Sequence, residues 1–190
     1  MNITFNNDKL FILVLAGTTR LQRKSYKAAE FIADIGRTYP DLEIELVDPS
    51  NFNFPGDGND PEAKDPKYSE LTERADGFFI VVPEYNHSFP GSLKRMLDSE
   101  LENYIHKPVA LAGASSGAWG GVRGVEALVP AVREMGLMVT FTSTYFPNVQ
   151  DAFDSEGKAI DARSEIGVRK AYDELIWMTK VLKNGRDNLV

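Results

Sequence analysis

Short apolar runs alternate along the chain with stretches whose apolar residues recur at helical spacing. The runs Leu10–Ala16, Leu42–Asp48, Gly77–Pro83, Pro108–Ala114 and Leu137–Ser143 predict strands. The first, third and fourth are almost continuously apolar, the pattern of parallel strands covered on both faces. In Leu42–Asp48 the apolar Leu42, Ile44 and Leu46 alternate with Glu43 and Glu45, which predicts an edge strand with one wet face.

Between these runs the period becomes helical. Ala28, Phe31, Ile32 and Ile35 form one stripe, stopped by Pro40. Leu93, Met96, Leu97 and Leu101 form a second, opened by Pro90. Val125, Leu128, Val129 and Val132 form a third, in which Pro130 predicts a kink or an early end. Val168, Ala171, Tyr172, Leu175, Thr179 and Leu182 mark a long final helix. The stretch from Pro49 to about Lys67, rich in Pro, Gly, Asn and Asp, reads as a surface loop. Strand and helix alternate about five times, so right-handed crossovers predict a doubly wound parallel sheet of α/β class. Ligands of such sheets bind beyond the carboxyl ends of the strands, which singles out the loops after Ala16, Pro83 and Ala114.

Composition narrows the chemistry. The 190 residues carry 21 Lys plus Arg against 28 Asp plus Glu, a net charge of −7, with 43% hydrophobic residues. One compact domain spanning residues 1–190 is expected at this length. The acidic balance argues against a nucleic-acid partner, because that role relies on a basic field. There is no cysteine and there are two histidines, His87 and His106. Thiol nucleophiles, disulfides and Cys-ligated metals are thereby excluded, and no metal site is expected. The longest apolar run, Leu10–Ala16, falls far short of the roughly 20 residues that cross a bilayer. Asp8 and Lys9 precede it without a cleavage signature after it, so no membrane association and a cytoplasmic address are expected.

The three loops can each hold a ligand. Gly17-Thr18-Thr19-Arg20-Leu21-Gln22-Arg23-Lys24-Ser25 joins strand to helix, with a glycine for an unusual turn, hydroxyl donors and three cations. That is either a phosphate-sized anion site at a helix N-terminus or an ordinary turn with solvated basic residues. It lacks the G-x-x-x-x-G-K-[ST] and G-x-G-x-x-G patterns. Pro83-Glu84-Tyr85-Asn86-His87-Ser88-Phe89-Pro90-Gly91 is stiffened by prolines and offers flat aromatic faces, to a planar heterocycle or to core and interface. His87 beside Ser88 has no third triad member, and packing or interface duty is preferred for it. Gly113-Ala114-Ser115-Ser116-Gly117-Ala118-Trp119-Gly120-Gly121 lets backbone approach a ligand closely, or is a turn of small residues. His106, at the opposite end of the sheet, reads as structural.

Together the loops resemble those of the NADPH-dependent FMN reductase family, the flavodoxin-like quinone and azo reductases. The likeness spans about residues 9 to 145. It rests on Gly17-Thr18-Thr19-Arg20-x-x-Arg23 against a G-S-T-R-x-G-R phosphate loop, and on Ala75-Asp76-Gly77. It rests also on Pro83-Glu84-Tyr85-Asn86 with Pro90-Gly91-x-Leu93-Lys94, and on Ser115-x-Gly117 before Gly120-Gly121. The resemblance implies a flavodoxin-like three-layer sandwich with strand order 2-1-3-4-5. It implies that Thr18, Arg20 and Arg23 hold the FMN phosphate, and that Pro83, Glu84, Tyr85 and Asn86 contact the isoalloxazine, largely through backbone. Ser115, Gly117 and Trp119 would line its pyrimidine side. The chemistry implied is hydride transfer from NADPH or NADH to flavin N5 and on to a quinone, azo compound, flavin or similar small-molecule acceptor, in ping-pong order, with no catalytic side chain. A homodimer or homotetramer with flavin near the subunit boundary is implied too. Three positions depart from the family pattern: Thr18 for Ser, Gln22 for Gly, and Ser99 where an aromatic often follows Asp98. Two other readings stand beside this one. A flavodoxin-type FMN carrier would stay yellow with NADPH, and a non-flavin protein on the same fold would not take up FMN.

Overall fold

The computed structural model describes residues 9–189. Strands β1 (Leu10–Ala16), β2 (Leu42–Val47), β3 (Gly77–Pro83), β4 (Pro108–Ala114) and β5 (Met138–Phe146) form one sheet in the order β2-β1-β3-β4-β5. Every pairing is parallel, with β1 between β2 and β3 in the register Val14↔Leu46 and Val14↔Phe79. Helices α1 (Ser25–Arg37) and α5 (Ala162–Leu189) cover one face. Helices α2 (Pro66–Arg74), α3 (Gly91–Asp98) and α4 (Val122–Glu134) lie with the other.

The alternation of side chains along each strand sorts the core into two layers. Ile12, Val14, Phe79, Val81, Ala110 and Ala112 pack toward Ala28, Ile32, Val168 and Tyr172. Leu13, Leu15, Phe78, Ile80, Val109 and Leu111 pack toward Leu93, Met96, Val125 and Leu128. Burial of both faces is what keeps β1, β3 and β4 apolar throughout. At the edge, Glu43 and Glu45 of β2 are exposed as their alternation requires.

Four local outcomes differ from the periodicity. Helix α2 lies partly within the stretch read as loop. Asp65 caps it by accepting from the Lys67 and Tyr68 amides at 2.9 and 3.3 Å, and Pro66 occupies its first turn. Its buried face is Tyr68 and Thr72, and the polar threonine hides the stripe. Helix α4 runs through Pro130 to Glu134. Pro130 and Glu126, whose carbonyl loses its usual partner, both lie on the exposed side of the helix. Leu101 falls outside α3 and is half-exposed. Finally, β5 reaches Phe146 rather than Ser143. Its register against β4 shifts between Val109↔Val139 and Leu111↔Ser143, and this irregularity breaks the strand period. Glu174 of α5 accepts from the Phe141 and Thr142 amides there, at 2.6 and 2.7 Å.

The opposite end of the sheet is tied by charge. Asp76 accepts from the Phe11 amide at 3.0 Å and pairs with Lys183 at 2.6 Å. Lys107 donates to the Thr72 and Glu73 carbonyls, and burial pushes its ammonium down to about 8. His106 takes a left-handed backbone there and its carbonyl accepts from Arg186 at 2.7 Å. Among the described residues no helix is long and apolar enough to cross a membrane.

Candidate functional site

A cleft of about 300 Å³ opens beyond the carboxyl ends of β1, β3 and β4. Its walls come from the loop after β1 (Thr18, Arg20, Gln22, Arg23, Lys24, Ser25), the loop after β3 (Pro83, Glu84, Tyr85) and the end of β4 (Ala114, Ser115, Ser116). A fourth segment, Val149 and Gln150, follows β5.

The first wall is built by close packing of backbone. A Cβ on Gly17 would lie 2.2 Å from the Val81 carbonyl oxygen and 2.6 Å from Pro83 Cδ. The glycine is thus required by contact with β3, while the left-handed residue of this loop is Gln22, at φ 56°. Thr18 is buried; its hydroxyl accepts from the Arg20 amide at 3.2 Å and sits 3.1 Å from the Tyr85 hydroxyl, linking the first two loops. Helix α1 then starts at Ser25 without a side-chain cap, leaving its first amides and positive dipole end at the cleft. A left-handed non-glycine residue costs about 1–2 kcal/mol. Gln22→Gly is therefore expected to leave thermal stability nearly unchanged, relief of strain offsetting the greater freedom of the unfolded chain. Gln22→Val is expected to lower it by about 1–2 kcal/mol, since a β-branched side chain tolerates this region poorly. Paired thermal melts check both.

Arg23 is placed with more care than its neighbours. Its guanidinium pairs through Nη2 with Asp48, at the end of β2, and both side chains are largely enclosed. It also lies 4.9 Å from the centre of the Tyr26 ring. Burial pushes the Tyr26 hydroxyl up, and the Asp48 charge adds to the shift. Asp48 is itself fixed, accepting from the Ser50 amide at 2.9 Å. The Arg23 Nε is buried and has no acceptor in the described chain. The guanidinium charge is met by Asp48, and the group stands in the cleft wall with Arg20 and Lys24 beside the start of α1.

In the second loop, Asn86 and His87 both have positive φ, and the Tyr85 and Ser88 backbones exchange hydrogen bonds of 2.8 and 2.9 Å around them. This is a tight turn of the primed type. The third loop folds on small residues: a Cβ on Gly113 would meet the Gly120 carbonyl oxygen at 2.5 Å. The Ser115 hydroxyl donates to the Gly117 carbonyl at 3.0 Å, and its amide donates to Phe146 at 3.2 Å.

The family follows from sequence comparison over the same region. Residues 10–151 match the model of the NADPH-dependent FMN reductases. The chain belongs to that family. The NAD(P)H-dependent FMN reductase of Pseudomonas aeruginosa is 25% identical over 186 residues, covering 92% of this chain and 98% of its own. The NADPH azoreductase of Bacillus sp. strain OY1-2 is 34% identical over 120 residues, covering 62% of this chain and 65% of its own. Among solved structures, the flavoenzyme NAD(P)H:(acceptor) oxidoreductase FerB of Paracoccus denitrificans superposes with a TM-score of 0.71 at 21% identity, over 90% of this chain and 98% of its own. The protein is an FMN-dependent NAD(P)H oxidoreductase of flavodoxin-like fold.

The reductase cleft fits that cofactor. It offers a largely enclosed guanidinium in Arg23, two exposed cations in Arg20 and Lys24, and an uncapped helix end for a phosphate. Of the residues singled out in the sequence, Thr18, Arg20, Arg23, Pro83, Glu84, Tyr85 and Ser115 line the cleft together. Asn86, Gly117 and Trp119 are not in its walls. Trp119 is 67% exposed, with the Arg123 guanidinium 5.5 Å from its ring centre. His87 is exposed and also outside the walls, 2.7 Å from Arg123 Nη1 through Nε2. Ser99 is fully buried, its hydroxyl donating to the Met96 carbonyl at 2.7 Å, so it builds no surface. The residues that sequence reasoning missed are Val149 and Gln150. Ending β5 at Ser143 concealed the loop that carries them, and the apolar Tyr145-Phe146 before Pro147 was the available signal.

Proposed function

We propose that this cleft holds FMN with its phosphate against the Thr18–Ser25 loop and its ring system toward Pro83–Tyr85 and Ala114–Ser116. The observation that carries this reading is the uncapped start of α1 opening into a cleft lined by Arg20, Arg23 and Lys24. Arg23 holds the anion by charge-assisted hydrogen bonding, Asp48 and the Tyr26 ring fix its direction, and Arg20 and Lys24 add charge from the rim. Thr18 and Tyr85 join the phosphate end to the ring end through one hydroxyl contact. Pro83 and the Tyr85–Ser88 turn present rigid backbone, so the ring is oriented at little entropic cost. Bound there, FMN supplies hydride acceptance from NAD(P)H and hydride donation to an acceptor. No side chain of the cleft has to act as nucleophile, which agrees with a chain lacking cysteine.

One open cleft serves both substrates in turn, hence a ping-pong order. The acceptor is a planar two-electron oxidant such as a quinone, azo compound or flavin; the azoreductase relative supports this class. One domain carries the whole reaction. The exposed Trp119 face beside the site supports a homodimer or homotetramer with flavin near the subunit boundary. NAD(P)H is an intracellular co-substrate, which supports a cytoplasmic address. The test is anaerobic addition of NADPH and NADH to the FMN-loaded protein, followed by initial-rate kinetics with a quinone and an azo dye. Rapid bleaching and parallel double-reciprocal lines are expected. Intersecting lines would overturn the single shared cleft.

A further inference from the structure

The wall contributed by the loop after β3 contains a charge that phosphate binding does not use. The Glu84 side chain is only 7% exposed; Oε1 accepts from Arg123 Nη2 at 2.6 Å, and Oε2 is buried with no partner in the described chain. Arg123, in the first turn of α4, is 42% exposed and outside the cleft walls. Its guanidinium is shared between Glu84, His87 and the Trp119 ring, so it ties the loop after β3 to the loop after β4. The next residue, Gly124, brings α4 directly onto this loop: a Cβ there would lie 3.1 Å from the Ser88 carbonyl oxygen and 3.3 Å from Glu84 Cα. The pair is held at short range by backbone packing.

The two charges are not equivalent. The carboxylate is enclosed and lies in the cleft wall, where the effective dielectric is low. The guanidinium stands farther out and is half solvated, so its field is screened more strongly. The residual field in the cleft is therefore negative near Glu84. Two-electron reduction of FMN with uptake of one proton adds one negative charge to the cofactor, so a fixed charge in the wall acts unequally on the two redox states. Differential interaction of this kind is what shifts an equilibrium.

We propose that Glu84, restrained by Arg123, is a positioning charge that lowers the reduction potential of bound FMN and so favours hydride delivery to the acceptor. The inference rests on placing the flavin ring beside Pro83–Tyr85. Oxidised FMN plus two electrons and one proton gives the reduced anion; NAD(P)H supplies the hydride, and the acceptor takes it.

The test is the midpoint potential of the FMN-loaded protein, read by spectroelectrochemistry in mildly alkaline buffer, together with the dissociation constants for oxidised and dithionite-reduced FMN. Glu84→Gln is expected to shift the preference toward reduced FMN by at least tenfold, equivalent to a rise of about 30 mV for a two-electron couple. The Glu84→Gln/Arg123→Gln double variant removes both charges and is expected to keep a smaller upward shift than Glu84→Gln, because the net field removed is negative; a return to the parent value would overturn the inference. A shift of the same size in both variants would assign the effect to loop disorder and overturn the inference. So would an unchanged potential in Glu84→Gln with FMN still bound, leaving the cleft assignment intact. A variant that binds FMN weakly is read through the ratio of the two dissociation constants, which is linked to the potential. Failure of the parent protein to bind FMN would overturn the cleft assignment and this inference together.

Discussion

Replacing Arg23 with alanine is expected to weaken FMN binding by roughly tenfold to 150-fold, the loss of one charge-assisted hydrogen bond worth about 1.5–3 kcal/mol. The guanidinium is enclosed between Asp48 and the Tyr26 ring, and its Nε has no acceptor among the described residues. Riboflavin has no phosphate, so its affinity is expected to change less than about threefold, because the removed interaction is absent from that ligand. Stability falls as well, since Asp48 is left as an enclosed and uncompensated carboxylate. Breaking a buried pair on one side costs about 3–5 kcal/mol; partial exposure of both side chains here favours the lower end. The Arg23→Ala/Asp48→Ala double variant is expected to recover most of that stability without recovering FMN affinity. Fluorescence titrations with both flavins and thermal melts separate the two effects. Equal losses for FMN and riboflavin would place Arg23 away from the phosphate.

Gly17→Ala is expected to be the most damaging single-methyl change in the site. The added Cβ would sit 2.2 Å from the Val81 carbonyl oxygen and 2.6 Å from Pro83 Cδ, with Leu93 Cδ2 at 3.3 Å. The two closest are a backbone carbonyl and a proline ring, neither of which turns aside cheaply, and Leu93 is fully buried. The carbonyl belongs to β3, whose register with β1 sets Ala16 opposite Val81. Strand spacing is fixed by the ladder at about 4.8 Å, so relief requires breaking pairing at the end of the strand. Overpacking of this kind costs about 3 kcal/mol or more, a fall in melting temperature of roughly 6–12 °C for a chain of this size. The displaced loop carries Thr18 and Arg20, so FMN affinity falls with it. A melting temperature within a degree or two of the parent would show that the β1–β3 junction yields more easily than its geometry implies.

These two residues show how far the chain is legible before it folds. Gly17 and Arg23 were both recognisable from the loop pattern, yet each works for a reason that pattern does not contain. The loop pattern suggests a glycine that permits an unusual turn; its backbone is ordinary and its role is to admit the carbonyl of β3, while Gln22 supplies the left-handed turn. The same pattern suggests the arginine as a phosphate ligand. Its direction is set by Asp48, which is 25 residues away and lies at the end of a different strand. Likewise Trp119, expected along the flavin, stands outward over Arg123.

By itself the sequence determined the strand–helix alternation, the burial of β1, β3 and β4 on both faces, and the loops that converge on the cleft. Those properties follow from the local period of apolar residues and from the rule that ligands meet a parallel sheet at its carboxyl end. The motifs of three loops also carried the family, because phosphate and ring recognition demand particular residues at short spacing. Only the tertiary structure decided the rest: the reach of β5 and the Val149–Gln150 wall it delivers, the Arg23–Asp48 and Glu84–Arg123 pairs, and the passage of α4 through Pro130. The reason is physical. Apolar periodicity is written within one element, whereas the partner of a charge and the space left for a methyl group depend on distances between elements far apart in the chain.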